Sequence, residues 1–131
     1  MKRFLLVDDD AIFNFLHTEV IKTVDSSAQI DLFNSSTEGL EFLKEALEGH
    51  REMPHFLFLD IRMPEMDGFE YLDELMHYPV EKFKDIRIYV LSSSLAEKDK
   101  EKSLSYPIVT GFIEKTLTIE KLKGIIETYP S

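Results

Sequence analysis

The sequence predicts an α/β fold, a doubly wound five-stranded parallel sheet with helices on both faces. Two observations lead to it. Short apolar runs alternate with segments of helical period along the whole 131-residue chain, and this alternation is typical of strands joined by crossover helices. Three of the five apolar runs are almost wholly apolar, as expected of strands that are covered on both faces.

Five strands and five helices are expected. The strands are RFLLV (3–7), QIDLF (29–33), HFLFL (55–59), RIYVL (87–91) and IVTGFI (108–113). Apolar residues spaced three or four apart predict the buried faces of four helices. These are Ile12, Leu16 and Val20 in the first, Leu40, Leu43 and Leu47 in the second, Phe69, Leu72 and Met76 in the third, and Ile119, Leu122, Ile126 and Tyr129 in the last. The fourth helix, near 96–105, has the weakest pattern.

Side chains that can accept hydrogen bonds from the first helical turn mark where several helices begin. The predicted N-caps are Asp10, Ser35, Ser94 and Thr118, with Glu38 and Glu97 completing capping-box spacings after the two serines.

The composition narrows the possible functions. Twenty-five acidic against 15 basic side chains give a formal net charge of -10, which argues against a nucleic-acid partner. There is no cysteine, so disulfides and thiolate metal sites are excluded. The apolar runs are too short to cross a membrane, and the start MKRFLLVDDD predicts a strand rather than a signal peptide. We therefore expect a cytoplasmic protein without membrane insertion.

Carboxylates follow two strands that should be neighbours. In the flavodoxin-like order 2-1-3-4-5, ligands bind at the carboxyl ends of strands 1 and 3. Asp8, Asp9 and Asp10 follow strand 1, and Asp60 follows strand 3. Clustered carboxylates need a cation, and Mg²⁺ prefers such oxygen ligands. A carboxylate is also a competent phosphoryl acceptor.

The other two strand ends supply groups that suit phosphoryl transfer. Ser92 follows strand 4 as a hydroxyl donor, although the three consecutive serines leave its register open by one residue. Lys115 follows strand 5 and could neutralise phosphoryl oxygens. The histidines have no metal-binding spacing and are interpreted as ordinary. They are His17, His50, His55 and His77.

Four segments together resemble the receiver domain of two-component response regulators, over the whole chain. They are LLVDDD (5–10), LFLDIRMPEMDGFEYL (57–72), VLSSS (90–94) and GFIEK (111–115). The resemblance implies a phosphoacceptor signalling protein with Mg²⁺ as cofactor, for which Mn²⁺ could substitute. Its phosphoryl donor would be a histidine kinase or a histidine phosphotransfer protein, and its downstream target another protein.

The resemblance also implies roles for individual residues. Asp60 would be the phosphoacceptor and a metal ligand, with Asp9 as a direct ligand, Asp8 acting through water and Arg62 contributing its backbone carbonyl. Ser92 and Lys115 would contact the phosphoryl group, and Phe112 would be the switch aromatic. Lys98, Lys102 and Tyr106 could belong to a partner surface.

One residue departs from the family pattern. The family usually places a cis proline after the lysine, whereas Thr116 follows Lys115 here. Because a non-proline cis bond costs about 3 kcal/mol, we expect a trans bond, which leaves the reach of Lys115 open.

Two other functions remain possible. One is a receiver-like binding module that works without phosphate. The other is a Mg²⁺-dependent phosphohydrolase, for which Asp8 and Asp10 have suitable spacing, although no segment could form a cap over a substrate.

We expect a single domain over 1–131 without an output domain, and a signalling protein rather than an enzyme. It would be monomeric or would dimerise on phosphorylation.

Overall fold

The computed structural model describes residues 1–93 and 96–130, and these residues form one parallel sheet with helices on both faces. The strands are β1 (Arg3–Val7), β2 (Gln29–Phe33), β3 (Phe56–Asp60), β4 (Arg87–Ser92) and β5 (Val109–Glu114). The helices are α1 (Ala11–Val24), α2 (Ser36–Leu47), α3 (Gly68–Leu75), α4 (Glu97–Leu104) and α5 (Ile119–Glu127). A 3₁₀ helix, which the sequence pattern did not predict, spans Val80–Phe83.

The predicted strand order is confirmed. The sheet runs β2-β1-β3-β4-β5, with every neighbouring pair parallel. The first two strands have their predicted bounds, and the other three end one residue later than predicted. As a result Asp60 and Ser92 are the last residues of their strands, at the edge of the sheet where ligands bind in such folds.

Alternate side chains of the strands feed two cores, one on each face of the sheet. Leu5 and Val7 of β1 point to the core that α2 and α3 cover, while Phe4 and Leu6 point to the core that α1 and α5 cover. In the second core the ring of Phe4 stacks on that of Phe56 at 5.1 Å between centroids. Every residue of β3 is buried, as its almost wholly apolar sequence predicts.

The predicted buried face of α1 is wrong for two of its three residues, while the third, Val20, is partly buried and packs against the core. Ile12 is 71% exposed and Leu16 is 40% exposed, whereas Asn14, His17 and Ile21 are buried. The polar pair can be buried because each side chain finds a backbone partner. The Asn14 amide donates to the Asp8 carbonyl at 2.8 Å, and His17 accepts from the Leu117 amide. A pattern of apolar residues cannot predict the burial of polar side chains that are hydrogen-bonded to the backbone.

In α5 the predicted stripe is only partly correct. Leu122 is buried together with Ile125, which the pattern did not single out, while Ile119 is exposed. Ile119 is the first residue of the helix.

Three of the predicted N-caps are confirmed. Asp10, Ser35 and Thr118 each accept a hydrogen bond from a backbone amide in the first turn of their helices. A full capping box, which the sequence analysis missed, starts α3. The Asp67 carboxylate accepts from the Glu70 amide at 2.9 Å, and the Glu70 carboxylate accepts from the Asp67 amide at 3.0 Å.

Helix α4 begins differently from the prediction. Ser94 lies outside the described residues, and the N-cap is Ala96, which makes no side-chain capping bond. Within α4, all of whose residues are described, Ser103 is the one buried residue. Polar and cation–π contacts link this region to its neighbours. Asp99 pairs with Arg62, Lys102 lies 4.4 Å from the centre of the Phe69 ring, and Tyr106 just beyond the helix donates to Asp73 at 2.7 Å.

Among the described residues, no helix combines the length and apolarity needed to cross a membrane.

Glycine at position 68 allows α3 to begin directly against the end of β3. An added Cβ would lie 2.7 Å from the Asp60 carbonyl oxygen and 2.9 Å from the Ile61 Cα. Both are backbone atoms that cannot rotate away, so we expect Gly68→Ala to lower the free energy of unfolding by about 1–3 kcal/mol. Urea denaturation measures this change.

Gly124 in α5 is the matched control, since nothing lies within 4 Å of its added Cβ. Gly124→Ala should raise the free energy of unfolding by up to about 1 kcal/mol through helix propensity. Equal effects of the two substitutions would contradict the steric argument.

Candidate functional site

The site lies where β1 and β3 end side by side. Val7 pairs with Leu59 in the sheet, so the next residues, Asp8 and Asp60, bring two carboxylates to the same edge. Both residues are buried. The backbone of Asp8 is fixed on two sides, because its amide donates to the Phe33 carbonyl at 3.1 Å and its carbonyl accepts from Asn14.

Lys115 stands between these two carboxylates. Its Nζ lies 2.7 Å from Oδ2 of Asp8 and 3.2 Å from Oδ1 of Asp60, and its side chain is 5% exposed. The backbone amide of Lys115 donates to the Ser92 carbonyl at 2.8 Å, which ties the end of β5 to β4. The ammonium also lies 4.2 Å from the centre of the Phe13 ring, at cation–π distance.

Three carboxylates in the site could hold a metal ion. Oxygens of Asp8, Asp9 and Asp60 all lie within 4.8 Å of one another. Asp9 is exposed, while the other two are buried. These hard oxygen donors fit Mg²⁺ or Mn²⁺, which bind through a few carboxylates and retained waters. One ammonium cannot neutralise three carboxylates, so the charge of the site also favours a bound cation.

The electrostatics of Asp60 follow from this crowding. The pKa of Asp60 is raised to about 6, mainly by burial and next by the charge of the neighbouring Asp8, while Lys115 opposes the shift. A carboxylate held in this way is costly to keep ionised, and a cation or an esterifying group would relieve the cost.

The site opens into a crevice of ≈ 550 Å³, and several predicted residues border it. Asp9, Asp60, Arg62 and Lys115 line the crevice, together with Ile12 and Phe13 of α1. The Arg62 side chain points to α4, where its Nη2 lies 2.5 Å from Oδ2 of Asp99. A metal ligand from Arg62 would therefore have to be its backbone carbonyl, as the resemblance implies.

The two described serines at the end of β4 occupy different environments. Ser92 is the last residue of β4 and is buried, opposite Glu114 of β5. Ser93 is exposed and lines the crevice. Phe112 lies on β5 opposite Val90 and packs, half-buried, against the core under α2 and α3.

The geometry disfavours the phosphohydrolase alternative. That function needs Asp10 as a free acid beside Asp8. Instead, Oδ1 of Asp10 accepts from the amides of Ile12 and Phe13 as the N-cap of α1. Asp8 is already paired with Lys115.

The expectation of a trans bond after Lys115 is wrong, because the Lys115–Thr116 peptide bond is cis. The trans expectation considered only the intrinsic preference of the bond. Tertiary contacts hold the segment on both sides, with the Lys115 amide on Ser92 and the Leu117 amide on His17.

Sequence reasoning missed two residues beside the site. It interpreted His17 as ordinary and did not single out Phe13, yet both lie on the face of α1 that meets Lys115 and the loop after it. Burial lowers the pKa of His17 below its ordinary value, Asp8 opposes this shift and Lys115 adds to it. Their spacing of four residues on a predicted helix was the available signal.

Comparisons with known proteins agree with the fold. A sequence profile of the response regulator receiver domain matches residues 4–127. The probable methanogenesis regulatory protein FilR2 of Methanothrix harundinacea is 27% identical over 123 residues, which cover 94% of this chain and 77% of that protein. Several other curated relatives are longer, and the chain spans 51% or less of their length.

Solved structures give the same result. A two-component response regulator from Cytophaga hutchinsonii is 28% identical, with a TM-score of 0.86 over 97% of this chain and 95% of that chain. The Mn²⁺-bound form of the response regulator Rcp1 is 25% identical, with a TM-score of 0.76 over 100% of each chain.

The raised pKa of Asp60 predicts how stability depends on pH. The carboxyl ionises near 4 in the unfolded chain and near 6 in the folded protein. Between these values the folded protein binds more protons, so the free energy of unfolding should fall as pH rises from about 4 to about 6.

Replacing this carboxylate tests the effect. In the absence of metal, Asp60→Asn should be more stable than the wild type at pH 7 by about 1–3 kcal/mol, and the difference should vanish near pH 4. Urea denaturation with a chelator at the two pH values measures it. Asp85→Asn, at an exposed carboxylate before β4, is the control and should change little. A less stable Asp60→Asn protein at pH 7 would contradict the prediction.

Proposed function

Because the chain belongs to the response regulator receiver family, we propose that it is a phosphoacceptor in two-component signal transduction, with Asp60 as the residue modified. Receiver domains are signalling proteins that bind Mg²⁺ or Mn²⁺ in an acidic pocket. One observation carries the proposal. A buried carboxylate ends β3 with an ammonium 3.2 Å away and the carboxylates of Asp8 and Asp9 within 4.8 Å.

The transfer step uses groups that this chain supplies. An oxygen of the Asp60 carboxylate forms a bond to phosphorus as the bond from phosphorus to a histidine nitrogen of the donor breaks. The freed imidazole keeps the electron pair of that bond and takes a proton. Lys115 lies where its ammonium can stabilise the negative charge of the phosphoryl oxygens.

The acidic group supports a metal role. Asp9, Asp60 and the backbone carbonyl of Arg62 would be direct ligands, and Asp8 would act through water. A bound Mg²⁺ supplies charge neutralisation and orientation of the phosphoryl oxygens. Asp8 remains fixed by its contact with Lys115, so the lysine and the ion would share the charge of the site.

The surroundings of the crevice favour a protein as the phosphoryl donor. Ile12 borders the crevice, and Phe15 and Leu16 follow it on the exposed face of α1, with Phe15 at 64% exposure. A histidine kinase or a phosphotransfer protein must approach Asp60 past these side chains. Exposed apolar residues of this kind mark contact surfaces.

The output surface is proposed at α4 and β5. Its members would be Lys98, Lys102 and Tyr106, with Phe112 as the aromatic that changes position on activation. The polar attachment of α4 supports this, because such contacts can be exchanged for water at little cost. The phosphorylated state would bias this region toward a conformation that a downstream protein binds.

Intact mass after incubation with acetyl phosphate and Mg²⁺ tests the acceptor. The wild type should gain one phosphoryl group, and the gain should be absent with a chelator and absent in Asp60→Asn. Asp85→Asn, far from the crevice, is the matched control and should still be modified. Binding of beryllofluoride detects a site that turns over too fast for an adduct to accumulate. If the protein binds Mg²⁺ but neither adduct nor beryllofluoride, the binding module without phosphate becomes the better function.

The two serines make a second test. If the Ser92 hydroxyl donates to a phosphoryl oxygen, Ser92→Ala should weaken beryllofluoride binding about tenfold, as loss of a hydrogen bond to a charged group does. Ser93→Ala should change it by less than about twofold. Isothermal titration in the presence of Mg²⁺ measures both affinities. The reverse order of effects would move the role to Ser93.

A further inference from the structure

His17 belongs to α1 but bonds to the segment that follows the lysine of the site. Its ring is buried, and its Nε2 accepts a hydrogen bond from the Leu117 amide at 3.2 Å. An accepting Nε2 carries no proton, so the neutral ring holds its proton on Nδ1. The side chain is therefore committed to one orientation and one protonation state.

The segment that receives this bond places the backbone of Lys115. It connects the end of β5 at Glu114 to the start of α5 at Ile119. The Lys115 amide is held by the Ser92 carbonyl at its start. Two residues later, Leu117 is buried in the core and its amide is held by His17. The lysine backbone is thus fixed from β4 on one side and from α1 on the other.

Phe13 contacts the other end of the same lysine. It lies one turn before His17 on α1, and the two rings stack at 5.8 Å between centroids with 25° between their planes. The Lys115 ammonium lies 4.2 Å from the centre of the Phe13 ring. One face of α1 therefore meets both the tip of the lysine and the loop that carries its backbone.

Lysine needs such support, because its side chain has four rotatable bonds and little intrinsic preference for one position. Its ammonium must nevertheless stay between Asp8 and Asp60, and displacements of about 1 Å in such sites cost large factors in rate. No proline follows Lys115 to stiffen the loop.

From these contacts we infer that His17 is a positioning residue for Lys115, acting through the Leu117 amide and assisted by the Phe13 ring. The inference rests on the proposed function of Asp60 as phosphoacceptor. A histidine with only a structural role would contribute to the stability of the protein, but its replacement would not change the affinity for a phosphoryl group or its analogue at Lys115.

Three variants separate these roles. His17→Leu keeps apolar volume but leaves the Leu117 amide without an acceptor, and we expect beryllofluoride affinity in Mg²⁺ to fall about tenfold. His17→Gln offers an oxygen near the position of Nε2 and should stay within about twofold of the wild type. Phe13→Leu removes the ring face only, and it should weaken binding by an intermediate factor.

A double-mutant cycle shows whether the effect passes through the lysine. Lys115→Met weakens beryllofluoride binding by itself, and His17→Leu should then add nothing. An undiminished effect of His17→Leu in the Lys115→Met background would overturn the inference. So would a His17→Leu protein that loses stability in urea while keeping wild-type affinity. If His17→Leu does not fold, His17→Asn, whose shorter side chain does not reach the Leu117 amide, takes its place in the cycle and the same outcomes decide.

A measurement without phosphoryl chemistry keeps this inference separate from the proposed function. In the metal-free protein, the buried Lys115 ammonium should give a protected NMR signal that His17→Gln retains and His17→Leu loses. An unchanged signal in His17→Leu would overturn the positioning role. If the NMR signals of the wild type and the two variants follow this pattern, but the wild type is not phosphorylated by acetyl phosphate and does not bind beryllofluoride, only the proposed function is overturned.

Discussion

Two buried carboxylates that share one ammonium are the constraint on which the other features depend. Asp8 and Asp60 end neighbouring strands inside the protein, and Lys115 contacts both. Like charges at this separation are costly in a buried site. The strand order brings the two carboxylates together. Lys115 follows β5, and its ammonium contacts the Phe13 ring of α1. One ammonium does not neutralise the carboxylates at the crevice, and the remaining negative charge favours the binding of a metal cation.

The sequence was sufficient for the sheet and the identity of the acidic site. Strands such as β3 have an apolar run that no other element of this length explains, and their order follows from the alternation with helices. Asp8, Asp60 and Lys115 each lie at the end of such a run or within two residues of it, so the fold itself brings them together. The capping box of Asp67 and Glu70 was missed, although its spacing is a known helix start and could have been recognised in the sequence.

Contacts between distant segments could not be predicted in the same way. The buried face of α1 depends on Asn14 and His17 finding backbone partners in β1 and in the loop before α5, and the sequence shows neither partner. The peptide bond after Lys115 likewise follows its surroundings rather than its intrinsic preference. In both cases a local rule was correct on average, but tertiary hydrogen bonds outweighed it.

The weak apolar anchoring of α4 has a consequence for how this protein could diversify. Because the helix buries almost nothing, its outward residues are free to change without disturbing either core. A new partner could be accommodated by substitutions in one short surface segment, while the acids and the lysine stay as they are. With the proposed output surface at α4, recognition and phosphoryl chemistry would occupy separate parts of the chain, and each could vary at little cost to the other.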